Sequence, residues 1–236
     1  MSNVERGNHP TSGMTSTWVY GSTFGTFSLS ATSRLGATTC EASTWGSDST
    51  VECRTAHGAM STRRVTVTAG LGSVGSLTEA VSFDGPLLLS ARFANRPATG
   101  RATVSVSGAN LGALASYSVS ARVGATACEA SSWVSATAVA CRAPAGVAAS
   151  MRLLLTVGAR AGTATDALSY DVPFLTRLAR PNAPSVGGAS VTVNGGNFGT
   201  DQYSVTGKIG VTAAEATLWA SSSALVCRSN PRPNLV

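Results

Sequence analysis

One interval organises this 236-residue chain, and it is 87 residues long. Asn8, Asn95 and Asn182 are spaced by it, as are Pro10, Pro97 and Pro184. So are Gly13, Gly100 and Gly187, and then Gly25, Gly112 and Gly199. Further along, "CEASTWGSDSTVECR" (40–54) returns as "CEASSWVSATAVACR" (128–142) and "AEATLWASSSALVCR" (214–228), at intervals of 88 and 86. The middle copy therefore carries one extra residue near Ala113–Ser116. A period this long exceeds that of a solenoid and suits an independent small domain repeated in tandem.

Each copy reads as a series of strands. "ATVSVSG" (102–108) and "SVTVNG" (190–195) alternate with period two, which sets Val104 and Val106, or Val191 and Val193, on one buried face. "STWVYG" in the first copy fits the pattern more loosely. Next comes Gly-x-x-[Phe/Leu]-Gly, in which Phe24, Leu111 and Phe198 are expected to plug the sandwich end beside glycines at positive φ. No helix follows this turn to make it a phosphate cradle. Tyr117, Val119, Ala121 and Val123 then alternate like Leu29, Ala31, Ser33 and Leu35, and like Tyr203, Val205, Gly207 and Ile209. Later strands are "RVTVTAG" (64–70) with "RLLLTVG" (152–158), and "EAVSFD" (79–84) with "DALSYD" (166–171). No window supports a long amphipathic helix, so the fold class is all-β.

In the repeated element Cys40 and Cys53 are 13 apart, as are Cys128 and Cys141. Val51 shares strand parity with Cys53, and Val139 with Cys141, so the second cysteine of each pair points inward. Its partner comes from the end of the preceding strand, across a Trp-bearing loop. A bridge closing such a loop contributes about 3 kcal/mol in the chain-entropy model, which suits a small core. Trp45, Trp133 and Trp219 are expected to pack over the pair. Zinc is disfavoured, because the chain's two histidines, His9 and His57, do not recur and no short Cys-x-x-Cys pair exists. Cys227 aligns with the second cysteine while Ala214 stands in its partner's place, so it reads as an unpaired buried thiol. Glu41, Glu129 and Glu215, with Arg54, Arg142 and Arg228, face outward next to the cysteine positions as surface ion pairs.

The succession N-x-P-x-x-G, V-x-V-x-G-x-x-[FL]-G, [RK]-[VLI]-G-x-T and C…W…C resembles the IPT/TIG family of immunoglobulin-like domains. The resemblance covers the whole chain, as two near-complete units and one partial unit. It implies tandem early-set sandwiches of about seven strands each. Proline spacing divides them as 1–85, 86–172 and 173–236, opening at Pro86 and Pro173. On this division the third unit lacks counterparts of "RLLLTVG" and "DALSYD", and the first opens just before Met1. A segment of a longer repeat protein, flanked by further repeats, is the expectation.

Family membership of this kind leaves function open. The resemblance spans cell-surface receptors and adhesion proteins, Rel-like transcription factors and accessory modules of carbohydrate-active enzymes. The tandem array with Cys pairs resembles the ectodomain type most, which implies a non-catalytic module for spacing, adhesion or recognition of a protein or glycan. The cysteine pairs favour an extracellular or cell-surface setting, although no signal peptide is visible in "MSNVERGNHPTSG". No apolar run approaches a membrane span. A Rel-like DNA-binding module would suit the net charge of +6. Against nucleic acid, the arginines are scattered and no basic recognition loop matches. A carbohydrate-binding module would use Trp45, Trp133 and Trp219 as stacking platforms. Neither an enzyme nor a cofactor is expected, since the acids sit singly, away from any nucleophile and base.

Overall fold

The alternation of each copy becomes alternating burial once strands pair across two sheets. The computed structural model describes residues 1–5, 7–27, 31–59, 61–70, 72–92, 95–115, 117–147 and 149–231. Leu29, Ser116 and the terminal Val236, all used in the sequence reading, lie outside these residues. The described residues form strands and turns without a helix, in three successive immunoglobulin-like units.

The second unit shows the architecture in full. Its first sheet runs in the order Leu87–Arg92, Thr103–Ala109, Ala138–Arg142 and Ala130–Ser135, antiparallel throughout. Its second sheet places Asn95–Arg96 beside Arg160–Tyr170, followed by Met151–Val157, Val119–Val123 and Thr126–Ala127. The opening segment thus edges one sheet, crosses over, and pairs in parallel with the final strand of the other, Asn95 with Ser169 and Arg96 with Tyr170. Between the sheets Val104, Val106, Val139 and Cys141 are buried in one cluster with Leu153, Leu155, Val157, Leu168 and Tyr170. Each such aliphatic side chain contributes roughly 1.5–3 kcal/mol by leaving water.

The first unit repeats this plan. Asn3–Val4, Ser16–Tyr20, Thr50–Arg54 and Ala42–Ser47 form one sheet; Asn8–His9, Ser73–Phe83, Arg63–Ala69, Thr32–Leu35 and Thr38–Thr39 form the other. The loose fit of "STWVYG" comes from Thr17, which is buried at the position of Val104 and Val191.

The third unit has one sheet of the same kind: Phe174–Leu178, Ser190–Gly196, Ala224–Arg228 and Ala216–Ser221. The alternation of Tyr203–Ile209 predicts a strand over that whole span, but only Lys208–Ile209 is one, paired with Thr212–Ala213. Among the described residues the third unit holds no counterpart of Met151–Val157. In the second unit the matching strand, Val119–Val123, is held along its whole length by Met151–Val157.

Candidate functional site

Local geometry explains the cysteine element first. Cys40 and Cys53 are joined at 2.01 Å, and Cys128 and Cys141 at 2.05 Å. Cys40 follows Thr38–Thr39 of the second sheet and precedes Ala42–Ser47 of the first, so the bridge clamps the chain where it changes sheet. The intervening tryptophan is not in a loop. Trp45 lies on Ala42–Ser47, registered against Val51, while Ser43 is the residue opposite Cys53. Trp133 faces Val139 and Trp219 faces Leu225 in the same way. Each indole is half-buried one pair along from the second cysteine position, and the Trp133 Nε1–H donates to the Gly112 carbonyl at 3.1 Å. Trp45 packs against the buried cluster that contains Cys40 and Cys53. Cys227 is free and buried.

In the turn itself Phe24, Leu111 and Phe198 are all buried. The two glycines do different work. Gly25, Gly112 and Gly199 take positive φ, as do the residues before the apolar plug, Thr23, Asn110 and Asn197. The leading glycine instead permits close approach: a Cβ on Gly108 would stand 2.2 Å from the Leu87 carbonyl oxygen. On the outer face Arg54, Arg142 and Arg228 reach Glu41, Glu129 and Glu215 at 3.6, 3.0 and 3.3 Å. These pairs are about half exposed, so each contributes at most about 1 kcal/mol. Among the described residues no His, Cys, Asp and Glu side chains cluster as a metal site would require, and no helix is long and apolar enough to cross a membrane.

A contact invisible to motif reading joins the crossing segment to the last strand. The Asn8 side-chain amide donates to the Asp84 carboxylate, and the Ser82 hydroxyl donates to Asn8 Oδ1. Asn95, Asp171 and Ser169 repeat this arrangement. The signal was present in the sequence, since Asn8 and Asn95, Ser82 and Ser169, and Asp84 and Asp171 all recur at 87 residues.

Successive units also touch in a recurring way. Ala59 of the first unit packs into the core cluster of the second, and the His57 ring meets Tyr117 edge-on at 6.3 Å. A cavity of about 100 Å³ lies beside this contact, lined by Leu35, Arg63 and Phe83 among others. At the next junction Val147 lies against Gly199, and burial, with Tyr203 as a second cause, raises the Tyr170 hydroxyl above its ordinary value.

A concavity lies in the third unit. A cleft of about 720 Å³ opens between its sheet and Lys208–Ile209, lined by Leu175, Leu178, Val191, Val193, Ile209 and Cys227 among others. Leu175 is 68% exposed, whereas its counterpart Leu88 is 9% exposed. Ile209 is 37% exposed against 1% for Val123. The cleft is the inner face of this sheet, and among the described residues the third unit holds no counterpart of Met151–Val157 or Arg160–Tyr170.

An IPT/TIG domain model matches residues 2–83, 92–172 and 173–234. The chain belongs to the IPT/TIG domain family. Among solved structures, its fold is similar to the full extracellular region of plexin A4, at 13% identity over 100% of this chain and 21% of that one, with a TM-score of 0.39. The surface glycan-binding protein PbSGBP-B from Prevotella bryantii is 11% identical over 68% of this chain and 37% of that one, at a TM-score of 0.45. The I9–I11 tandem from titin is 7% identical over 99% of this chain and 89% of that one, at 0.30. The IPT/TIG chain thus spans well under half of the first two proteins, and no curated protein matches it.

Proposed function

We propose that these IPT/TIG units form a non-catalytic spacer of a cell-surface or extracellular protein, which holds its units in fixed succession for adhesion or recognition of a protein or glycan partner. The observation that carries this reading is the recurring junction. His57 meets Tyr117 and Ala59 joins the second unit's core at the first boundary, and Val147 and the Gly199–Tyr203 segment occupy the corresponding places at the second. Domains that merely follow one another on a flexible linker need no such repeated contact. The divisions 1–85, 86–172 and 173–236 support it, because only Asp84–Pro86 separates Phe83 from the next strand at Leu87, and only Asp171–Pro173 separates Tyr170 from Phe174. Cys40–Cys53 and Cys128–Cys141 support an oxidising compartment.

X-ray scattering from the whole chain tests the spacer. One arrangement of the units should account for the profile at low and high salt, and a profile that needs a broad ensemble of inter-unit angles counts against the reading. A thiol titration of unreduced, unfolded protein tests the compartment. One reactive thiol, Cys227, is expected, whereas reactivity of all five cysteines would exclude an oxidising setting.

A further inference from the structure

We propose that the cavity at the boundary of the first and second units binds one small oxyanion, of carboxylate or phosphate chemistry. The cavity, of about 100 Å³, takes Leu35, Thr38, His57, Arg63 and Phe83 from the first unit and Tyr117 from the second. None of its described lining residues is an acid. Arg63 lies across the turn that follows Leu35: a Cβ on Gly36 would stand 3.6 Å from its Nη1 and 3.7 Å from its Nε. Leu35 and Thr38 flank that turn and line the cavity, so the guanidinium sits at the cavity rim. Arg63 is partly buried. Among the described residues the ion pairs belong to Arg54, Arg142 and Arg228, and Arg63 has no part in them. Glu79, on the strand that pairs with Arg63–Ala69, is exposed. His57 is partly buried as well, and its ring stands edge-on to Tyr117 at 6.3 Å.

A cation drawn partly out of water without a counter-charge costs free energy that a bound anion recovers. The planar guanidinium fork fits two oxygens of one oxyanion, and imidazole N–H and the Thr38 hydroxyl are further donors in the same cavity. The second unit departs at both nitrogen-bearing positions together. Ala145 stands where the first unit has His57, and Met151 where it has Arg63. The Met151 Cε lies at the Cβ position of Gly124, 2.4 Å away, as the Arg63 side chain lies over Gly36. The other walls are kept, with Val123, Thr126 and Tyr170 in the places of Leu35, Thr38 and Phe83. Polar groups have thus been set into a frame that the second unit builds without them, and both face the same boundary. Tyr117 closes the cavity from the second unit, so an anion held by Arg63 and His57 lies against both units. Concavities at domain boundaries with a few convergent polar groups are where small ligands bind.

Isothermal titration of the whole chain with sodium phosphate, and separately with sodium acetate, tests the site in zwitterionic buffer at constant ionic strength. Saturable one-to-one binding of at least one of the two is expected, and the two arms separate phosphate from carboxylate chemistry. His57→Ala and Arg63→Met install the residues that the second unit carries, Ala145 and Met151, so the fold should survive both. Each should weaken binding, Arg63→Met by about tenfold or more through loss of the charge-assisted contact. Arg64→Met, at the exposed neighbour on the same strand, should leave binding unchanged. Hydrogen exchange of the Gly58 and Tyr117 amides, which donate to the Thr11 and Leu114 carbonyls, should slow together when the ion binds. Absence of saturable binding by either ion overturns the proposal. So does equal weakening by Arg64→Met, the mark of general attraction to a basic surface, or binding that leaves exchange at both amides unchanged.

Discussion

Ala214 packs against the buried cluster that holds Cys227 in the third unit. It occupies the place from which Cys40 and Cys128 reach their partners, and the flanking register is unchanged. Thr217 faces Cys227 as Ser43 faces Cys53 and Ser131 faces Cys141. Ala214→Cys is therefore expected to close a third bridge across 13 residues and to stabilise the third unit by about 3 kcal/mol. Mass spectrometry of the alkylated protein and a denaturant titration check it. A variant with two free thiols and an unmoved midpoint would refute the geometry.

Thr23 sits at φ 63°, where Asn110 and Asn197 sit at 59° and 60°. A β-branched residue is strained there, while asparagine tolerates the left-handed region. The Thr23 hydroxyl recovers part of the strain by donating to the Ser22 carbonyl at 2.6 Å. Thr23→Asn should raise the stability of the first unit by about 0.5–1 kcal/mol, read as a shift of its unfolding transition. Asn110→Thr should lower the second unit by a similar amount.

The Tyr170 hydroxyl donates to the Pro144 carbonyl at 2.8 Å inside the second unit, where the first unit has Phe83. Tyr170→Phe should cost about 1 kcal/mol. Burial, and secondarily Tyr203, hold this hydroxyl above its ordinary 10.0, and burial raises Tyr117 in the same direction. The folded value lies above the unfolded one, so the neutral form supplies stability that is fully present below pH 10 and is lost as pH rises through the raised value. Chemical denaturation from pH 8 upward should show that decline, with a shallower slope in Tyr170→Phe.

Gly108 does not need positive φ, yet its Cβ position is 2.2 Å from the Leu87 carbonyl oxygen. Gly108→Ala should separate Leu87–Arg92 from Thr103–Ala109 and destabilise the second unit by about 1–3 kcal/mol. Ser107→Ala beside it, on the same strand, should stay within about 0.5 kcal/mol. Hydrogen exchange of the Leu88 and Ser90 amides would locate the loss.

Much of the fold was legible because the chain states it three times. A residue such as Val106 or Val139 is buried by the parity of its own strand, which any two-sheet sandwich respects. The cysteine spacing was equally local, since two strand ends joined across a sheet change must lie close together. The tryptophans were harder to read. Nothing in "EASTW" says that the segment after the cysteine extends into an edge strand with a bulge after Trp45, rather than a loop. The Asn8–Asp84 contact spans 76 residues, and both of its members look like ordinary turn residues until the parallel pairing brings them together.

The sequence by itself determined the units, their strands, the inward cysteine and the apolar plug, because each follows from spacing along a pleated chain. Tertiary structure alone decided which of those apolar faces would be covered. Leu88 and Leu175 stand at equivalent places in equivalent strands, and one is buried while the other is exposed. Alternation fixes the side toward which a residue points. Burial also requires opposing strands, and in the third unit the described ones are Lys208–Ile209 and Thr212–Ala213, with no counterpart of Arg160–Tyr170.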